Sequence, residues 1–298
     1  MSGLSFRDEI AKNKLYSLLL AVMVSLILFS LVYFISLFLI PELVLIALSI
    51  STVFIIVYTY SSYRFGDTVV LSAAHAHLAE GRRYQYLRDT VEGLSIASGI
   101  PPPKVYVIDN QDLNAFATGR NPENASIAVT TGLINSLNRQ ELEGVIGHEI
   151  AHITNRDILF MTLVAVLVGL AAIVSHLILR SFWFGAPRKK RERGRATIPL
   201  LIIGIILAII APIAVRLVQF AISRKREYLA DASGVSYTRY PEGLASALEK
   251  IAAKNRGRIS VSEAVSHLFF VDPQQSSLDA LFATHPPIKE RIKRLRAM

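Results

Sequence analysis

The sequence predicts a mainly α, multi-pass helical membrane protein with a small β-sheet, and three observations carry that expectation. Four uncharged apolar runs, Leu15 to Pro41, Leu43 to Tyr63, Ile158 to Leu179 and Ala196 to Val215, are each long enough to cross a hydrocarbon core, which needs about 20 helical residues. Two short β-rich pieces, Lys104 to Ile108 and Ser126 to Thr130, lie between the first and second pairs of runs. Between the sheet pieces and the third run, His148-Glu149-Ile150-Ala151-His152 is embedded in apolar residues at helical spacing.

The first two runs are joined by a tight Pro41-Glu42 turn, which predicts an antiparallel helical hairpin that stays in the membrane rather than a removable leader. Arg7, Lys12, Lys14 and Arg64 flank the open ends of that hairpin and no positive charge lies in its turn, so the N-terminus and the segment after Tyr63 are expected in the cytoplasm. Residues from about Asp67 to Ser98 read as one helix, stopped at Gly99 and followed by Pro101-Pro102-Pro103 before the first strand. His75 and His77 stand two apart on that predicted helix, face different directions and receive no metal role.

Asn138 followed by Glu141 is a capping-box signature, and Leu142, Val145, Ile146, Ile150 and Ile153 continue from it at helical spacing. On this helix His148 and His152 lie one turn apart on one face, and Glu149 projects beside them. Two imidazoles and a carboxylate so placed are the minimal equipment for a zinc ion and an activated water. The structural alternative is a helix that satisfies three buried polar side chains within itself.

The second pair of runs admits two readings. His176 interrupts one, Pro199 and Pro212 interrupt the other, and Arg216 bounds it, so the pair is either a second spanning hairpin or a buried core hairpin. Arg188, Lys189, Lys190, Arg191, Arg193 and Arg195 between them would lie outside if both spanned, against the charge rule. That basic run is short and lacks interleaved aromatics, so it predicts a lipid-headgroup contact or a solvated turn and no nucleic-acid partner. Beyond the fourth run, Tyr240 to Ala253 reads as helix and Ile288 to Leu295 as a basic amphipathic tail.

Composition narrows the chemistry. Of 298 residues none is cysteine, which excludes a disulfide framework, a thiolate zinc site and a thiol nucleophile, and leaves His and carboxylate as metal ligands. A third ligand is required beside His148 and His152, and the best candidate is Glu227, in a segment that continues helically from the fourth run. Four-residue spacing puts Glu227 and Asp231 on one face, where one carboxylate can bind metal and the other can accept the spare ring N–H of a histidine ligand.

In order and spacing, several stretches together resemble the HtpX family of membrane-bound zinc metalloproteases, relatives of the prenyl-protein endopeptidases. They are Pro103 to Ile108, Asn114 to Pro122, Thr130 to Leu133, Gly147 to Ile153 with Asp157, Arg226 to Asp231, and His285-Pro286-Pro287. The resemblance covers most of the chain. It implies a zincin-like catalytic domain of the gluzincin type, with His148, His152 and Glu227 on one Zn2+ and Glu149 as general base. It also implies that Asn114 and Ala115 belong to an edge strand that holds substrate backbone, that His285 assists at the oxyanion, and that Arg291 pairs with Asp231. On the residues alone, Asn114 reads equally well as a turn residue and His285 as part of a proline loop.

The expected organisation is an N-terminal transmembrane hairpin over 1–64, a catalytic region with the HExxH helix over 65–157, a second apolar hairpin over 158–220, and a C-terminal part of the catalytic domain over 221–298 that carries Glu227. The expected function is endopeptidase cleavage of misfolded or unassembled membrane proteins at the cytoplasmic face of the cell membrane. A prenyl-protein processing enzyme and a non-catalytic zinc-tied membrane scaffold are the alternatives. A transporter is disfavoured because the runs are nearly free of charged groups.

Overall fold

The computed structural model describes residues 15–22, 25, 26, 29, 33, 41–166, 224–254 and 286–298. His285, the basic run from Arg188, residues 167–179 of the third apolar run and all of the fourth lie outside the described residues.

After a 3-10 turn at Pro41–Leu43, helix α1 runs over Val44–Ala73. Its 30 residues span about 45 Å at 1.5 Å per residue, roughly 15 Å more than a hydrocarbon core. Only 11% of its apolar window is buried, and Leu45, Ile50, Val53, Phe54 and Val57 stand fully outward, as a lipid-facing surface requires. Among the described residues it is the one helix long and apolar enough to cross a membrane. The helical residues 15–22 belong to the preceding run, and Ser25 Oγ lies 3.3 Å from Thr59 Oγ1 of α1, which places the two stretches side by side.

The expected helix from Asp67 to Ser98 is two helices. α1 ends at Ala73, and His75 takes a left-handed φ of 52°. The chain then forms strand β1 (His77–Leu78), a 3-10 turn at Arg82–Tyr84, and helix α2 (Gln85–Ser98), which stops at Gly99 with φ 73° as a left-handed cap. Packing explains the break. Val70, Leu71 and Ala74 are buried against Ile108, Phe116 and Ala128 of the sheet, and His77–Leu78 pairs with Tyr106–Val107. His77 is therefore a strand residue and not a helical one.

Strands β2 (Lys104–Ile108), β3 (Ala115–Gly119) and β4 (Ala125–Thr130) complete a four-stranded sheet of order β1-β2-β4-β3. β2 and β4 are parallel, and the two outer pairings are antiparallel. Strand alternation sorts the side chains into two cores. Val107, Ala115, Ala117, Ile127 and Val129 pack with the helices that carry the site, whereas Ile108, Phe116 and Ala128 pack on α1 and on Met161 and Ala165 of the helical residues 158–166.

α3 (Thr131–Ser136) leads into α4 (Arg139–Thr154), whose capping box is complete: Asn138 Oδ1 accepts from the Glu141 amide at 3.0 Å, and Glu141 Oε2 accepts from the Asn138 amide at 2.8 Å. The C-terminal helices α5 (Arg224–Thr238), α6 (Pro241–Lys254) and α7 (Ile288–Leu295) gather around α4. Close approach is possible because glycines face one another. A Cβ on Gly234 of α5 would lie 2.8 Å from the His148 nitrogen, and one on Gly144 would lie 2.6 Å from the Leu244 nitrogen of α6. Arg296 holds the end of α7 on α6 through Glu242 and Glu249, at 2.8 Å each.

Candidate metal centre

Helix α4 presents His148 and His152 on one face with their ring centroids 4.7 Å apart and nearly perpendicular. Their Nε2 atoms are 3.0 Å apart. The Gly147–Gly234 crossing brings α5 against this face, so that Glu227 Oε1 lies 3.7 Å from His152 Nε2 and Oε2 lies 3.8 Å from His148 Nε2. All three side chains are buried, and among the described residues they form the group of His and carboxylate able to share one cation. A tetrahedral zinc with bonds of about 2.0–2.1 Å separates its ligand atoms by roughly 3.3 Å, close to the spacings seen.

The ring nitrogens are aimed from behind. His148 Nδ1 lies 2.9 Å from Asp231 Oδ1, and His152 Nδ1 lies 3.0 Å from Asp157 Oδ2. Carboxylates only accept, so each holds a ring proton on Nδ1 and turns the Nε2 lone pair inward. Two inward lone pairs at 3.0 Å repel unless a cation or a proton lies between them, which is the physical signature of a cation site. In the metal-free state a proton serves. Burial works against charge on both rings and pushes His148 down to about 4, while Asp157, with Glu227 and Glu149, overcomes burial at His152 and lifts it to about 10.

Arg291 of α7 is wholly buried and forks onto Asp231, with Nε to Oδ2 at 2.9 Å and Nη2 to Oδ1 at 2.6 Å. Its Nη1 lies 3.5 Å from Glu227 Oε2, so one guanidinium braces both carboxylates of α5. Burial alone would raise the Asp231 carboxyl, but Arg291 and His148 outweigh it and hold it below the usual carboxylate range.

Glu149 is buried and accepts a hydrogen bond from the Ala117 amide of β3. Burial, with Glu227 nearby, pushes it up to about 7 against the pull of His152 and that amide, which suits a group that takes and returns a proton near neutrality. β3 is the outer strand beside α4. Thr130 N donates to Asn114 O at 3.0 Å, and by alternation Ala115, Ala117 and Gly119 turn their amides away from β4. Asn114 and Ala115, the expected substrate-holding pair, thus begin the same strand edge that reaches Glu149, and Asn114 Oδ1 accepts from the Ala115 amide at 3.1 Å. His285 lies outside the described residues.

Two contributors were not singled out for the site from the sequence. Ala117 carries no chemistry in its side chain and acts through its amide, so no sequence signal marks it. Asp157 was visible as an acid five residues beyond His152, but its reach to His152 depends on a chain reversal at Arg156, with φ 56°.

A sheet edge laid along a HExxH helix, with a carboxylate from a later helix closing on both histidines, defines a metallopeptidase catalytic domain attached to an apolar helix. Residues 82–298 match Peptidase family M48, and the chain is a member of that family and hydrolyses peptide bonds. It is 45% identical to a protease HtpX homolog of Thermoanaerobacter pseudethanolicus over 100% of this chain and 99% of that one. A protease HtpX homolog of Caldanaerobacter subterraneus is 48% identical over 83% of each chain, and one of Pyrococcus furiosus is 46% identical over 80% of this chain and 81% of that one. The crystal structure of S. mikatae Ste24p is similar with a TM-score of 0.48 at 20% identity, covering 96% of this chain and 66% of that chain.

Proposed function

We propose that the protein is a membrane-anchored zinc endopeptidase that cleaves misfolded or unassembled membrane proteins at their cytoplasmic segments. The observation that carries the reading is the buried triangle of His148, His152 and Glu227, whose imidazoles are each turned inward by a carboxylate and beside which Glu149 stands with a raised pKa. Two imidazoles, one carboxylate and no thiolate suit zinc with a fourth position left for water. When bound, zinc supplies a Lewis acid for the scissile carbonyl and brings the pKa of water down toward about 7.

The chain's own groups do the rest. Glu149 takes the proton of the attacking water and delivers it to the departing amine. Asp231 and Asp157 fix the histidine tautomers, and Arg291 keeps Asp231 anionic and holds Asp231 and Glu227 in place. The outward edge of β3 from Asn114 to Ala117 holds an extended substrate backbone as an added strand, which makes unfolded segments the natural substrates. His285 is proposed to support the oxyanion. The exposed apolar surface of α1, with Arg64 closing its uncharged stretch, favours substrates that arrive from the membrane surface on the cytoplasmic side. Domain limits at 64, 157 and 220, with a second apolar hairpin over 158–220, are part of this proposal.

The test is Glu149→Gln in the purified full chain, reconstituted in lipid with an unfolded membrane protein as substrate. Stoichiometric zinc should be retained and turnover should fall by at least 100-fold, the lower end of a general-base contribution. Cleavage at the wild-type rate would refute the role of Glu149. Accumulation of soluble proteins alone in cells lacking the enzyme would refute the substrate class.

A further inference from the structure

We propose that Asp157 is the positioning residue of the second metal histidine: it fixes the Nδ1 proton of His152 from the first residue after the α4 turn and so sets how tightly the centre holds its cation. The proposal rests on the reading of His148, His152 and Glu227 as the metal ligands.

Asp157 is fully buried, and its Oδ2 accepts from His152 Nδ1 at 3.0 Å. Its other oxygen, Oδ1, is buried with no partner among the described residues. A carboxylate kept for stability alone would have both oxygens satisfied, because burying an anion is costly. A helix-capping role explains it no better. Asp157 stands where the helical residues 158–166 begin, yet neither side-chain oxygen caps that helix among the described residues: Oδ2 turns back to His152 and Oδ1 meets no amide.

The backbone is bent to achieve this contact. Arg156 takes a left-handed φ of 56°, a conformation that L side chains adopt at an energetic cost. That single residue reverses the chain, so the Asp157 amide meets the His152 carbonyl at 3.3 Å and the carboxylate returns beneath the ring. Strain held beside a functional group is the usual mark of a geometry that the site requires. The two histidines then have matched supports of separate origin. Asp231 comes from α5 with Arg291 behind it, whereas Asp157 comes from the segment that continues into the third apolar run. Losing Asp157 frees the His152 ring to rotate and to place its proton on Nε2, the atom the metal needs.

The experiment measures zinc dissociation constants by chelator competition for the purified full chain and for Asp157→Ala, Asp157→Asn and His152→Ala. Visible spectra of the cobalt-loaded forms and thermal melts of the metal-free forms accompany them. Asn caps a helix as well as Asp, so Asp157→Asn keeps any structural role and removes the charge. Zinc should bind about 10–100-fold more weakly in Asp157→Ala and at least about threefold more weakly in Asp157→Asn. The cobalt bands should shift, and metal-free Asp157→Asn should still melt cooperatively, at a somewhat lower temperature because the Asp157–His152 charge pair is gone. Should Asp157→Ala not fold, Asp157→Asn decides alone. Wild-type affinity and an unshifted cobalt spectrum in the Asn variant overturn the proposal. Failure of the wild-type chain to bind zinc, or undiminished binding by His152→Ala, would instead overturn the metal-site reading beneath it.

Discussion

Gly234→Ala is the sharpest test of how the site is assembled, because it alters no metal-binding side chain and no substrate surface. The added Cβ would lie 2.8 Å from the His148 nitrogen, 2.9 Å from the Gly147 carbonyl carbon and 3.1 Å from the Gly147 oxygen. All three are backbone atoms of α4 and cannot rotate away. Ordinary contact begins near 3.4 Å, so α4 and α5 must part by about 0.6 Å at this crossing. Zinc–ligand distances tolerate only about 0.2 Å, and Glu227 sits on α5 two turns before Gly234. The strain of such overpacking is about 1–3 kcal/mol, and it is relieved by moving Glu227 away from the histidines. Zinc affinity should therefore fall about 10–100-fold, the equivalent of about 1.4–2.7 kcal/mol. Chelator competition on the purified chain measures it. Gly93→Ala is the matched control, since an added Cβ on that exposed residue of α2 meets nothing within 4 Å. It should leave zinc affinity unchanged and raise stability by about 0.5–1 kcal/mol. Zinc binding by Gly234→Ala within twofold of wild type would refute the claim that the glycine crossing sets the position of Glu227.

Two further outcomes follow from the same geometry. Glu227→Ala should abolish stoichiometric zinc in the purified protein, and undiminished metal by elemental analysis would remove Glu227 from the ligand set. Zinc affinity should rise about tenfold per pH unit from about pH 7 to about pH 10 and level off above it, because His152 is lifted from 6.5 to about 10 and must release its proton before it can bind a metal. The metal-free fold should respond with the opposite sign. A raised folded pKa contributes stability that is complete below 6.5 and is lost as pH rises through about 10, so the metal-free melting temperature should fall across that window while zinc stabilises the protein increasingly. Parallel melts of metal-free and zinc-loaded protein, with calorimetric titrations, check both. A zinc affinity independent of pH would show that His152 is not protonated before binding.

What the sequence discloses and what it hides divide along the range of the forces involved. The start of α4 was legible to the residue because it is a local exchange between Asn138 and Glu141, and its buried face because it is a local repeat. β2, β4, α6 and α7 were legible for similar reasons. The break after Ala73 was hidden. Nothing in Ser72-Ala73-Ala74-His75 forbids a helix, and the left-handed turn at His75 is imposed by Leu71 and Ala74 packing on a sheet formed from residues far along the chain. β3 was half hidden. Ala115-Phe116-Ala117-Thr118-Gly119 has little intrinsic strand preference, and five registered pairs with β4 settle its state. Glu227 was reachable because helical spacing paired it with Asp231, whereas the part played by Asp157 required knowing that Arg156 adopts a positive φ.

The sheet explains why a peptidase should be built onto a membrane helix rather than tethered to one. β3 turns Ala115 and Ala117 toward the catalytic helices and Phe116 toward α1, so a single strand is shared by the site and the anchor. Thr162, near the start of the third apolar run, tightens that junction. Its hydroxyl lies 2.8 Å from Thr118 Oγ1 and accepts from the Gly119 amide at 3.2 Å, and its methyl group would be 3.0 Å from a Cβ on Gly66 of α1. The outward amide at Gly119 is thereby occupied, while those of Ala115 and Ala117 are met by side chains of Asn114 and Glu149 that a substrate strand can displace. A flexible linker would leave the edge of β3 free to approach any unfolded chain. On the proposed function, fixing it to α1 would restrict the polypeptides that reach Glu149 to those that can extend along the strand edge close to the membrane surface.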